Sequence, residues 1–129
     1  MKHDDLIRRL CEGSAELSAE VWTALTGKPH EARRHLAIGS VYVAECESPQ
    51  DGVLWDDWKD CLTTSLSAAW EEARKKYSEI ALVRNRHGEC SAELWVPGGE
   101  IGTRQVALIY GKHEACTLVA AILAAEGER

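Results

Sequence analysis

Phenylalanine is missing from this chain of 129 residues, methionine occurs once and proline three times, so the aromatic share falls on five tryptophans and three tyrosines. No apolar run approaches the ~18 residues that a bilayer-crossing helix needs, so neither spanning nor anchoring is indicated. Positive charge is not in excess either. Fifteen Lys and Arg stand against 21 Asp and Glu, a formal net charge of -6, whereas a protein that holds nucleic acid through its phosphates normally presents a basic footprint. Nucleic acid is therefore not an expected partner. The acidic surplus is too modest and too mixed with Arg and Lys to read as a DNA mimic, and it serves solubility as well. The five cysteines, at 11, 46, 61, 90 and 116, include no C-x-x-C pair, and Met1-Lys2-His3-Asp4-Asp5 lacks the apolar core of a secretory signal. Reduced thiols and a cytoplasmic setting are the expectation.

With 45% hydrophobic and 28% charged residues, the composition is that of an ordinary globular protein. This length suits one domain, residues 1–129, with a real hydrophobic core. Leu6, Ile7, Leu10 and Cys11 recur at helical spacing behind the acids Asp4 and Asp5, which suit a helix start. Helix is expected to about Leu25, broken or bent at Gly13-Ser14, with Ser18 a second cap and Gly27 and Pro29 as the stop. Val41 and Val43 alternate within a short strand from Ala37 to Glu45. A second helix spans 62 to 77, where Leu62, Leu66, Ala69, Trp70, Ala73 and Tyr77 share one stripe and Thr63 or Thr64 supplies the cap. Ile80–Val83 and Cys90–Val96 read as a hairpin around Asn85-Arg86-His87-Gly88. Val106–Tyr110 is apolar almost throughout, the pattern of a central strand covered on both faces. Ala-rich helix follows from Gly111-Lys112-His113-Glu114 onward. The fold class is α+β, a layered helix-sheet-helix sandwich around three or four mainly antiparallel strands, with the N-terminal helix on the face opposite the other two.

Three segments, LSAEVWTALTG at 17–27, LTTSLSAAW at 62–70 and GKHEACTLVAAILA at 111–124, resemble the N-terminal helix, the T-x-S-L-D-A-A helix start and the Ala-rich C-terminal helix of the phage ABA sandwich domain. That family comprises small phage and prophage proteins. Ser67 stands where the pattern has an acid, Leu62 where it has an aromatic, and His113-Glu114 where Thr-Pro is usual. The resemblance implies a layered fold and a phage or prophage origin, and it implies no activity.

Two H-x-x-C pairs, His87 with Cys90 and His113 with Cys116, have the ligand types of tetrahedral zinc. Cys90 and Cys116 also continue buried patterns, the commoner role of a free cysteine, and no metal or other cofactor is expected. His30-Glu31-Ala32-Arg33-Arg34-His35 fails as a zinc-protease helix because its histidines are five apart instead of four; a solvated segment is expected. Gly98-Gly99-Glu100-Ile101-Gly102 joins two strands and lacks the Lys and hydroxyl of a phosphate cradle. No G-x-S-x-G or other local nucleophile signature is present, which leaves a Cys/His pairing assembled only in three dimensions, for example Cys61 or Cys46 with a distant histidine. Trp55-Asp56-Asp57-Trp58 places two large aromatics and two acids in a connection, where the aromatics either pin that connection onto the core with the acids left in water or serve as interface anchors, the first being the commoner role.

These features favour a phage or prophage accessory protein that is a non-enzymatic binding module. It would meet a bacterial or phage protein through Trp55, Asp56, Asp57 and Trp58, in counter-defence or host takeover by protein contact. A homodimer would give surplus apolar surface somewhere to go. The alternative is a small-molecule-binding or catalytic protein whose pocket is assembled only by tertiary contacts.

Overall fold

In a computed structural model, residues 3–34, 41–46, 59–98 and 102–127 are described. The first helix, α1 (Asp4–Glu12), carries Asp4 and Asp5 in its first turn and Arg9 in its last, the arrangement its dipole favours. The acids do not cap it, since His3 holds the N-cap position without a side-chain bond. Gly13, at φ 85°, ends the helix by donating its N–H to the Leu10 carbonyl at 3.0 Å. A short 3₁₀ turn, Ala15–Leu17, leads into α2 (Ser18–Thr26), so the N-terminal helix is broken, not bent.

The expected solvated segment after α2 is instead a strand. β1 (His30–Arg34) pairs antiparallel with β2 (Val41–Glu45), His30 opposite Glu45 and Arg34 opposite Val41. The pairing turns His30 inward, where only 8% of it is exposed. Residues 37–40 of the strand expected over Ala37–Glu45 lie outside the described residues. Next, α3 (Leu66–Arg74) begins later than its stripe suggests, because Ser65 is the N-cap and accepts from the Ala68 N–H at 3.2 Å. Thr63 is spent elsewhere: its buried hydroxyl sits 2.6 Å from that of Ser18, pinning the turn to the start of α2.

β3 (Glu79–Arg84), β4 (Cys90–Pro97) and β5 (Thr103–Gly111) form an antiparallel sheet in the order β3-β4-β5. Each chain reversal is short, so sequence neighbours pair. A bulge interrupts the β4-β5 ladder between Leu94 and Trp95. The chain closes with α4 (Glu114–Gly127), on which every residue from Ala115 to Leu123 is buried. A helix apolar all round must be surrounded. α4 packs on β4 and β5 with one side and takes α1 and α3 on others, so its alanines, Ala115, Ala120, Ala121 and Ala125, admit close neighbours in several directions.

The fold is thus the α+β sandwich that the sequence predicts, with four α-helices flanking antiparallel sheets of two and three strands among the described residues. Two details of its layering are corrected. α1 packs against α4 and the end of β5 and not across the sheet from α4, because α4 offers apolar surface on more than its sheet side. β5 is an edge strand of its sheet and not a central one. Its inner residue Ala107 is buried, yet Leu108 is 39% and Tyr110 63% exposed, so an almost continuous apolar run here marks one buried face and one open face.

Candidate binding surfaces

Strand alternation divides the three-stranded sheet. Ile80, Leu94 and Ala107 align across it, as do Leu82, Ala92 and Ile109, and these rows face α4. Leu94 and Ala92 are completely buried. The opposite rows are Val83-Ser91-Tyr110 and Ala81-Glu93-Leu108, beside the half-buried Trp95. Val83, at 57% exposure, joins Leu108 and Tyr110 as a large apolar residue left in contact with water. Such residues scattered singly are ordinary, but here three of them share one sheet face.

A second concavity lies between α1 and α2. Leu6 from α1 and Thr23 and Ala24 from α2 line a groove of about 640 Å³, and His30 at the start of β1 closes one end. Small-molecule sites typically measure about 300–1,000 Å³. Arg9 ties the two helices together across it. Its Nη1 and Nη2 donate to both Glu20 carboxylate oxygens at 3.2 and 2.6 Å, and its Nε donates to Asp5 Oδ2 at 2.9 Å. Asp5 also accepts from Arg8 at 2.8 Å, and that bond, more than the nearby positive charges, holds its carboxyl below the usual carboxylate range.

Behind the groove, His30 is fixed on four sides. Its backbone N–H donates to Thr23 Oγ1 at 3.0 Å, Nδ1 lies 2.7 Å from the Lys28 carbonyl, and Nε2 lies 2.6 Å from Lys59 Nζ. Its ring stacks on Trp22, with centroids 6.4 Å apart. Lys59 Nζ also stands 5.1 Å from the Trp22 ring centre and 3.7 Å from Glu45, near enough for a cation–π contact. The Trp22 indole N–H donates to the Asp60 carbonyl at 2.8 Å. Sequence reasoning missed this cluster because its residues come from α2, β1, β2 and the segment before α3.

The zinc candidates are not brought together. His87 sits in the exposed hairpin turn, Cys90 on the inner sheet face with Sγ 3.9 Å from the Lys112 carbonyl, and the His113 imidazole against Gly13. Cys116 Sγ lies 3.5 Å from the Thr63 carbonyl and 3.6 Å from that of Ser14. Among the described residues no group of three or more His, Cys, Asp or Glu could hold a metal. Burial pushes the thiols of Cys11, Cys61, Cys90 and Cys116 up, away from thiolate. Cys46 is exposed, and Cys61 Sγ lies 3.6 Å from the Val41 carbonyl. His35 and the expected anchors Trp55, Asp56, Asp57 and Trp58 lie outside the described residues, as do Gly99, Glu100 and Ile101; the Gly98 N–H donates to the Gly102 carbonyl at 3.1 Å. No helix among the described residues is long and apolar enough to cross a membrane.

The chain matches no protein-family model, no curated protein and no solved structure. The kinship suggested by residues 17–27, 62–70 and 111–124 therefore rests on those motifs alone.

Proposed function

We propose that the chain is a non-enzymatic binding module, a phage or prophage accessory protein that meets a bacterial or phage protein in the host cytoplasm. The observation that carries this reading is the shared exposure of Val83, Leu108 and Tyr110 on one face of the β3-β4-β5 sheet. A sheet face with exposed Val83 and Leu108 beside a tyrosine suits protein contact, where aromatic residues serve as anchors. The phage setting is supported by the motif resemblance, and Trp55 and Trp58 are a further proposed part of the contact. The test compares the wild-type chain with a Leu108→Ser/Tyr110→Ser variant as bait in bacterial lysate. One stoichiometric protein retained by the wild type and lost by an equally stable variant is the expected result. Retention by both contradicts the proposal, and so does capture by neither.

The second reading, a small-molecule binder, is favoured by one observation: the groove between α1 and α2 exists only through tertiary contact and has the volume of a ligand site.

A further inference from the structure

The open face of the β3-β4-β5 sheet is only partly apolar. Glu93, half-buried at its middle, stands between Ala81 and Leu108, and Glu79 leads the next row beside Trp95 and Gln105. Neither glutamate has a hydrogen bond or ion pair among the described residues. No base on the three strands answers them. Arg84 and Arg104 stand opposite the buried Cys90 and the core-packed Val96, in the rows that turn to the helices, and Arg84 is already bound to Glu114 at 2.9 Å. The face around Val83, Leu108 and Tyr110 thus carries two unpaired carboxylates and no cation.

A wholly apolar partner laid on this face would cover Glu93 and leave its charge unpaired, which is costly. A second copy of the chain, face to face, would set glutamate against glutamate. A partner that presents Lys or Arg among apolar side chains gains from both parts of the face. The shape narrows the partner further. The outer strands lie about 10 Å apart, two strand spacings, which is the width of one α-helix with its side chains. β4, at eight residues, runs about 27 Å, the length of a helix of about 18 residues. Glu79 is opposite Trp95, two positions along β4 from Glu93. Such diagonal neighbours are about 7–8 Å apart, within reach of two long side chains one helical turn apart. We infer that this face takes an amphipathic helix of a partner protein, its apolar stripe over Leu108 and Tyr110 and its Lys or Arg residues, one turn apart, on Glu93 and Glu79. The inference rests on the protein-contact proposal and gives that contact a partner chemistry.

The probe is a displayed library of random peptides of that length, selected on the immobilised full chain. Recovered peptides should be apolar at helical spacing, with Lys or Arg pairs three or four residues apart. One of them, synthesised and titrated, should bind Glu93→Gln about two- to fivefold more weakly than wild type, the range of one partly exposed charge contact. Glu93→Lys should not bind it. Raising the salt should weaken the wild-type complex. Glu16→Gln makes the same charge change at an exposed residue of the 3₁₀ turn before α2 and should leave the affinity unchanged. Peptides without a basic bias, or lost with Leu108→Ser/Tyr110→Ser yet indifferent to Glu93→Gln, overturn this inference and leave contact at the face standing. Peptides that bind the double-serine variant as well as wild type overturn both. A selection that enriches nothing above the bare support overturns the helical partner and leaves the lysate capture to decide on the face.

Discussion

His30 Nε2 lies 2.6 Å from Lys59 Nζ, and this contact fixes the state of a histidine that is almost wholly buried. Nδ1 faces the Lys28 carbonyl at 2.7 Å, and a carbonyl only accepts, so Nδ1 carries the proton. Nε2 is then bare and accepts from the lysine ammonium. Lys59 in turn exchanges two backbone bonds with Val43, at 3.0 and 2.9 Å. One residue thus joins the two-stranded sheet, the Trp22 ring and the end of the groove.

Replacing Lys59 by Met should keep the backbone bonds and the side-chain stem but leave the buried Nε2 without a donor. An unsatisfied buried acceptor costs about 1–3 kcal/mol. Urea unfolding should show a loss of that size, and a midpoint equal to wild type would dismiss the contact as a stabilising one.

The two faces of the β3-β4-β5 sheet should respond differently to substitution. Leu94→Ala removes a completely buried side chain and should cost about 2–5 kcal/mol. Tyr110→Ser, on the open face, should stay within about 0.5 kcal/mol of wild type. Calorimetric melting of both variants checks the pair, and comparable losses would mean that the outer face is packed.

Gly13 should not tolerate alanine. Its φ of 85° suits glycine, and an added Cβ would overlap the His113 imidazole. The left-handed backbone alone costs about 1–2 kcal/mol with a side chain. Gly13→Ala/His113→Ala should recover the steric part and not the backbone part, giving a melting temperature between Gly13→Ala and wild type.

Thiol labelling at neutral pH should reach the exposed Cys46 first and the buried Cys90 and Cys116 last. Burial raises the folded pKa of Cys116 above its unfolded value. The stability tied to that neutral thiol is complete below the unfolded pKa and is lost as pH rises through the folded one. Melting temperature should therefore decline as pH rises past the ordinary thiol range, and Cys116→Ala should flatten part of the decline. A slope unaffected by the substitution would assign the decline to other groups.

How much of this was legible in the sequence depends on whether the governing contacts are local. The hairpin β3-β4 was readable, because Cys90, Ala92 and Leu94 alternate with polar neighbours around a short turn. α4 was readable from its continuous small and branched residues, though its apolar surface gave no hint of which side would take α1. β1 was not readable: His30-Glu31-Ala32-Arg33-Arg34 has one apolar residue, and only the pairing with β2 makes it a strand. The start of α3 was misplaced because Thr63, a plausible cap, is drawn away by Ser18, 45 positions earlier. The covered-strand reading of β5 failed for a related reason. An apolar run states which residues could be buried, and the layer opposite decides which are. The groove had no local signature, since Leu6, Ala24 and His30 meet only when α1, α2 and β1 assemble.

Oxidative footprinting of the tyrosines tests most directly the claim that one face of the three-stranded sheet is left bare for a partner. In the free chain Tyr110, at 63% exposure, should be modified readily, and Tyr77, at 5%, should be spared. Once the protein captured from lysate is added, modification of Tyr110 should drop towards the level of Tyr77. A Tyr110 already protected in the free chain, or one equally reactive in the complex, would contradict the account.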